Sequence, residues 1–254
     1  MKSYRNLSSE KIVETLKILA TRIGERFSRS GLFYVCEELT AMADETSRRA
    51  DEIARPNIAL HALIWLLLAT AAAMILWFAA KALALETSTE LTNVMQGIDA
   101  GVSLLIVLGG AAFYLSTLES RLRRDKVLNE LHGFRSIAHV VDMHQLTKDP
   151  SALGGPRTSS SPGRDMTRYE LVRYLSYCSE MLSLTSKAAA VYAEKVPDPA
   201  IIDAVGDIER LTTNLSQKIW QKITMVEADI EEERGAKALS AGELSQVPHA
   251  AVKS

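Results

Sequence analysis

Residues 58–80, IALHALIWLLLATAAAMILWFAA, run 23 positions without Asp, Glu, Lys or Arg. As an α-helix this stretch is about 35 Å long, enough to cross a hydrocarbon core of about 30 Å with some tilt. Trp77 lies near its far end, where aromatic belts form, and Lys81 closes it. A second run, residues 100–118 (AGVSLLIVLGGAAFYLSTL), holds 19 positions without formal charge and just meets the length requirement. Two such runs side by side, each flanked by charge, are hard to hide in the core of a chain this size. The expected arrangement is a transmembrane hairpin over 57–119, with helices at about 58–80 and 100–118 and a short outside loop at 81–99.

Lys and Arg near the helix ends set the orientation. Arg48, Arg49 and Arg55 precede the first run, and Arg121, Arg123, Arg124 and Lys126 follow the second. The connecting stretch has only Lys81 against Glu86, Glu90 and Asp99. The basic flanks therefore stay inside and the acidic stretch faces out. This implies a multi-pass protein of the cell (inner) membrane with both termini cytoplasmic. Residues 1–30 contain no apolar h-region, so the first span is expected to serve as its own insertion signal. Arg121, Arg123, Arg124 and Lys126 are also candidate contacts for anionic headgroups, at ~1 kcal/mol each.

Small residues mark a packing seam within the spans. Ala69 and Ala73 line one face of the first, Gly97 and Gly101 form a GxxxG at the outer end of the second, and Gly109 lies further along. Such spacing lets helices approach closely. It is compatible with closure of the hairpin itself or with association between copies. His61, near the inner end of the first span, has no second intramembrane charge beside it in the sequence to suggest a proton relay.

Outside the spans the pattern is helical throughout. Ser8 is placed to cap a helix, with Leu7 and Ile12 at staple spacing. Ile12, Leu16, Leu19, Ile23 and Phe27 then form one apolar stripe. After a break at 28–31, Leu32, Val35, Cys36, Leu39, Met42 and Ala43 form another, giving an N-terminal cytoplasmic helical hairpin over 1–56. Residues 120–146 read as a juxtamembrane cytoplasmic helix. Leu131, Phe134, Ala138 and Val141 share one of its faces, and His132, Arg135, His139 and Asp142 another. Residues 147–166, rich in Pro, Gly and Ser, read as a flexible linker. Thr167 with Glu170 forms a capping box that opens a C-terminal helix pair over 167–235. Asp198 and Pro199 are set to start its second member. Leu171, Tyr174, Leu175, Cys178, Leu182 and Val191 are expected to face inward on its first member, and Ile201, Val205, Ile208, Leu211, Leu215, Ile219, Ile223, Val226 and Ile230 make a stripe on the second long enough to require a long partner helix. Residues 236–254 lack periodicity and are expected to be a disordered tail. The fold class is all-α: a two-helix transmembrane hairpin with cytoplasmic helical hairpins forming a bundle or coiled coil.

Composition narrows the chemistry. The 254 residues carry a net charge of −2 with a pI near 6.2, so no global basic field attracts nucleic acid. Cys36 and Cys178 lack CxxC spacing and read as small apolar residues. His132 and His139 are seven residues apart, which puts their imidazoles about 10 Å apart along a helix, too far for one ion without a third element. His144 completes this cluster. No catalytic, cofactor or metal site is expected. A scaffold, sensor or regulatory role is, exerted through helix–helix contacts and oligomerisation. The expected partners are the bilayer, further copies of the chain and a cytoplasmic protein. A small pore-forming or membrane-perturbing effector is the alternative, and metal-dependent activity at the His132/His139 helix the weaker one.

Overall fold

A computed structural model of the chain describes residues 7–28, 30–55, 58–83, 88–148, 159 and 166–244. All regular structure among them is α-helical. Six helices follow in order: α1 (Ser9–Arg26), α2 (Gly31–Ala54), α3 (Ile58–Leu83), α4 (Ser88–Leu146), α5 (Arg168–Lys195) and α6 (Pro199–Leu244).

The helix starts have local causes. The Ser8 hydroxyl accepts from the Lys11 N–H at α1. Thr167 and Glu170 make the reciprocal capping box at α5, the Thr167 N–H donating to Glu170 at 2.8 Å. Asp198 accepts from the Ala200 N–H at 2.9 Å, with Pro199 opening α6. Each cap satisfies a backbone donor that has no partner within its helix.

Helix α4 joins segments that the sequence divides into loop, span and juxtamembrane helix. It runs 59 residues, about 88 Å, and takes in most of the expected loop at 81–99, the second apolar run and residues 120–146. Only 84–87 of that loop fall outside the described residues. The reason is that backbone i→i−4 bonding ignores the change from apolar to charged side chains. No proline falls within 88–146 to interrupt it. Of the expected tail at 236–254, residues 236–244 continue α6 through Leu244; residues 245–254 lie outside the described ones. The expected linker at 147–166 falls almost wholly outside them.

The chain divides into two compact units, residues 1–50 with 129–254, and residues 51–128. In the first unit the apolar stripes meet. Leu16, Leu19 and Ile23 of α1, Leu32 and Leu39 of α2, Phe134 and Val141 of α4, Leu175 and Leu182 of α5, and Ile201 and Ile219 of α6 are all buried. Pairings fix the directions. Helix α1 runs antiparallel to α2, with the Ser47 hydroxyl on Ser9 at 2.9 Å and Gly24 against Phe33. Helix α2 runs antiparallel to the end of α4, through Arg49–Glu130 at 2.7 Å, Met42 over Gly133 and Gly31 against His144. Helix α4 runs alongside α6 in the same sense, through Arg135–Asp207 and Gln145–Lys222. Helix α5 packs along α6 after a three-residue turn. It buries twelve side chains, far more than one stripe, including Tyr177, Met181, Thr185 and Tyr192. It is the core helix of the unit.

In the second unit the Gly101 backbone approaches α3 closely. A Cβ there would lie 2.9 Å from Ile75 Cγ1. Most other apolar side chains on α3 and α4 are uncovered, among them Trp65, Leu66, Leu76, Ile106, Val107 and Phe113. Two helical stretches are long and apolar enough to cross a membrane. Their most apolar 18-residue segments have mean hydropathies of 2.3 and 1.9, and are 6% and 0% buried.

Candidate functional site

Residues singled out from the sequence are distributed over several environments. Of the basic group after the second apolar run, Arg123 donates to Glu119 at 2.7 Å and Arg124 lies 3.8 Å from Asp125. Arg121 and Lys126 are exposed with no carboxylate partner among the described residues. Glu119 of α4 also faces His61 of α3, with Nδ1 at 3.8 Å from its carboxylate. The sequence does not reveal this neighbour for His61, because the two residues stand 58 positions apart.

The polar stripe on α4 is split by its surroundings. Arg135 donates to Asp207 of α6 at 3.4 Å, and Asp207 is shared with Arg210. Asp142 accepts from Gln145 at 2.6 Å. His132 and His139 are exposed. His144 packs against Gly31, where a Cβ would lie 2.4 Å from its ring. Burial, helped by the Lys148 charge, holds the His144 imidazole below its ordinary pKa. No group of three or more His, Cys, Asp or Glu among the described residues is placed to hold a metal ion.

Gln145 is the centre of a buried polar network that sequence reading missed. It is 2% exposed. The Lys222 ammonium of α6 donates to its side-chain oxygen at 2.6 Å and to its carbonyl at 3.1 Å. Hydrogen bonds to a charged donor contribute more than neutral ones, and a buried amide left without its partner keeps its desolvation cost. Replacing Lys222 with alanine is therefore expected to lower the stability of the first unit by about 1–3 kcal/mol. The same change at exposed Lys218, one turn earlier, should move it by less than about 0.5 kcal/mol. Thermal unfolding of the two variants side by side checks the difference.

Among the small residues of the two apolar runs, Gly101 lies against Ile75 of α3, whereas Gly109 and Gly110 have no atom within 4 Å of a would-be Cβ. Gly101 is therefore a close-contact point between α3 and α4, and the Gly109–Gly110 face is open. Ala69 and Ala73 are exposed and Gly97 is half-buried. The hydroxyls of Thr70, Ser116 and Thr117 bond to carbonyls of their own helices, which satisfies them without solvent.

The most chemically concentrated site is one the sequence did not signal. A cavity of about 420 Å3 opens where α1 meets α5, lined by Arg22, Glu25, Arg26, Arg173 and Tyr177. Helical spacing puts Arg22 and Arg26 one turn apart on α1, and α5 brings Arg173 and Tyr177, also one turn apart, to meet them. The guanidinium carbons of Arg173 and Arg22 lie 5.0 and 5.4 Å from the Tyr177 ring centre. Arg26 lies 5.4 Å from that of Tyr169. Arg22 also donates to Glu180 at 3.1 Å. The Tyr177 ring packs edge-on against Phe27, and the side chain is 2% exposed. Burial acts to raise the Tyr177 phenol. Hydrogen bonds from Arg173 and Arg26, with the charges of Arg173 and Arg22, outweigh it and hold the phenol below its ordinary pKa. Within a single sequence the only available signal was four residues at i,i+4 spacing on two helices, with nothing to show that the helices meet.

No family model, curated protein or solved structure matches this chain. What stands is the class its own residues define: an all-helical protein with two helices long and apolar enough to cross a membrane.

Proposed function

We propose that the chain is a two-span membrane protein. Its first unit is a cytoplasmic helical bundle acting as a scaffold, sensor or regulator through helix–helix contacts between copies and with a protein partner. The observation that carries this reading is the exposure of the apolar helices: the segments of mean hydropathy 2.3 and 1.9 are 6% and 0% buried. A core helix of a soluble protein with that composition is mostly covered. Leaving a Leu, Ile or Phe in water rather than an apolar medium costs about 1.5–3 kcal/mol each. Trp65, Leu66, Leu76, Ile106, Val107 and Phe113 all present such surface, and lipid removes the cost. The basic residues on either side of the spans support a cytoplasmic first unit even where carboxylates neutralise them, because acidic residues contribute little to orientation.

Association between copies is supported by the uncovered Gly109–Gly110 face, since small residues let helices approach closely in lipid. A single cysteine at position 109 is expected to form a disulfide-linked dimer under mild oxidation in native membranes, whereas one at position 101, against Ile75, is not. Cys36 and Cys178 do not confuse the readout. Burial pushes both thiols up to about 12, leaving almost no thiolate at neutral pH. Equal cross-linking at 101 and 109, or a strictly monomeric protein in mild detergent, would count against association through this face.

A further inference from the structure

The arginine pocket between α1 and α5 lies outside the contacts on which the function proposed above rests. Arg26 and Arg173 approach it from different helices. Neither makes a carboxylate pair within 4 Å among the described residues; Arg26 lies over the Tyr169 ring and Arg173 over the Tyr177 ring. Glu180 is engaged by Arg22, and Glu25 lines the opening. The Glu170 carboxylate also lies near enough to Arg26 to feel its charge, so Arg173 is the guanidinium at the opening that is least compensated by carboxylates. Like charges held this close repel, and a bound anion would relieve the repulsion. Guanidinium forks match the paired oxygens of phosphate groups and bind them bidentately. A space of about 420 Å3 suits a small ligand.

We propose that this pocket binds a ligand bearing a phosphate-type oxyanion, held by Arg26 and Arg173 from opposite sides, with the Tyr177 hydroxyl as a further donor. Binding would clamp α1 to the core helix α5 and so give the unit a ligand-dependent rigidity. Every residue involved belongs to the first unit, so the inference stands independently of whether α3 and α4 cross a membrane.

The phosphate group has two possible sources, a soluble metabolite or a lipid headgroup.

The test uses the full chain in neutral detergent, titrated with sodium pyrophosphate by calorimetry. Saturable binding is expected. Arg26→Ala and Arg173→Ala should each weaken it about tenfold or more, the usual size of a lost charge-assisted hydrogen bond. Arg173→Lys, which keeps the charge but not the fork, should give an intermediate loss. Lys17→Ala should leave binding unchanged, and circular dichroism verifies that each variant is folded. A second arm repeats the titration in nanodiscs with and without anionic phospholipid. Weaker pyrophosphate binding in the anionic discs, absent in the neutral ones, would assign the site to a headgroup, and equal binding to a soluble ligand. No saturable binding in either arm overturns the proposal, as does binding that Arg26→Ala and Arg173→Ala leave unchanged.

Discussion

Phe134→Ala is expected to lower the stability of the first unit by about 3–5 kcal/mol, the range for removing a large aromatic side chain from a packed core. Phe134 is 1% exposed, and its neighbours along the same face, Leu131, Ala138 and Val141, are 2%, 0% and 0% exposed. The end of α4 is thus a core strut of that unit, closed in by α2 and α6. Natural domains are stable by only about 5–15 kcal/mol, so a loss of this size leaves many of them marginal. Chemical denaturation should show a lower midpoint for Phe134→Ala with cooperativity preserved. His132→Ala, two residues earlier on the exposed face, should change stability by less than about 0.5 kcal/mol. Equal effects would mean that α4 does not enter the core at this point.

The second large effect is a contrast along one helix. Ile106 and Met143 both lie on α4 and are 69% and 65% exposed. If both faced water, replacing either with arginine would be close to neutral. In the account given above Ile106 faces lipid and Met143 faces water. Arginine at the middle of a span carries an insertion penalty of about 2.5–3.5 kcal/mol. Ile106→Arg is therefore expected to reduce the membrane-integrated fraction strongly, and Met143→Arg to leave it unchanged. The carbonate-resistant fraction of each variant provides the readout. Similar behaviour of the two variants would argue that both positions share one solvent.

Much of the helical layout was legible because its causes are local. Ser8, Thr167 with Glu170, and Asp198 with Pro199 each satisfy nearby backbone groups, so their residue types alone mark the starts of α1, α5 and α6. The stripes through Ile12–Ile23 and Ile201–Val226 were legible because burial on one face imposes a period near 3.6. Two features were not. The continuity of α4 was hidden because the chemistry of its surface changes twice while its backbone bonding does not. The arginine pocket and the Gln145–Lys222 pair were hidden because each depends on which remote helices meet. Periodicity shows which face of a helix is apolar, not its neighbour. Lys222 also reads as a solvated residue; only the packing of α6 beside α4 brings its ammonium onto a buried amide. The width of the buried face on α5 was missed because Tyr177, Thr185 and Tyr192 are not apolar enough to extend a stripe.

The most direct test of the membrane reading is the accessibility of a single cysteine at residue 90, between the two apolar runs, to a membrane-impermeant maleimide in right-side-out membrane vesicles. The native thiols are too deeply buried to compete. The account predicts rapid labelling of Glu90→Cys in sealed vesicles. Labelling that appears only after the vesicles are broken open would contradict it.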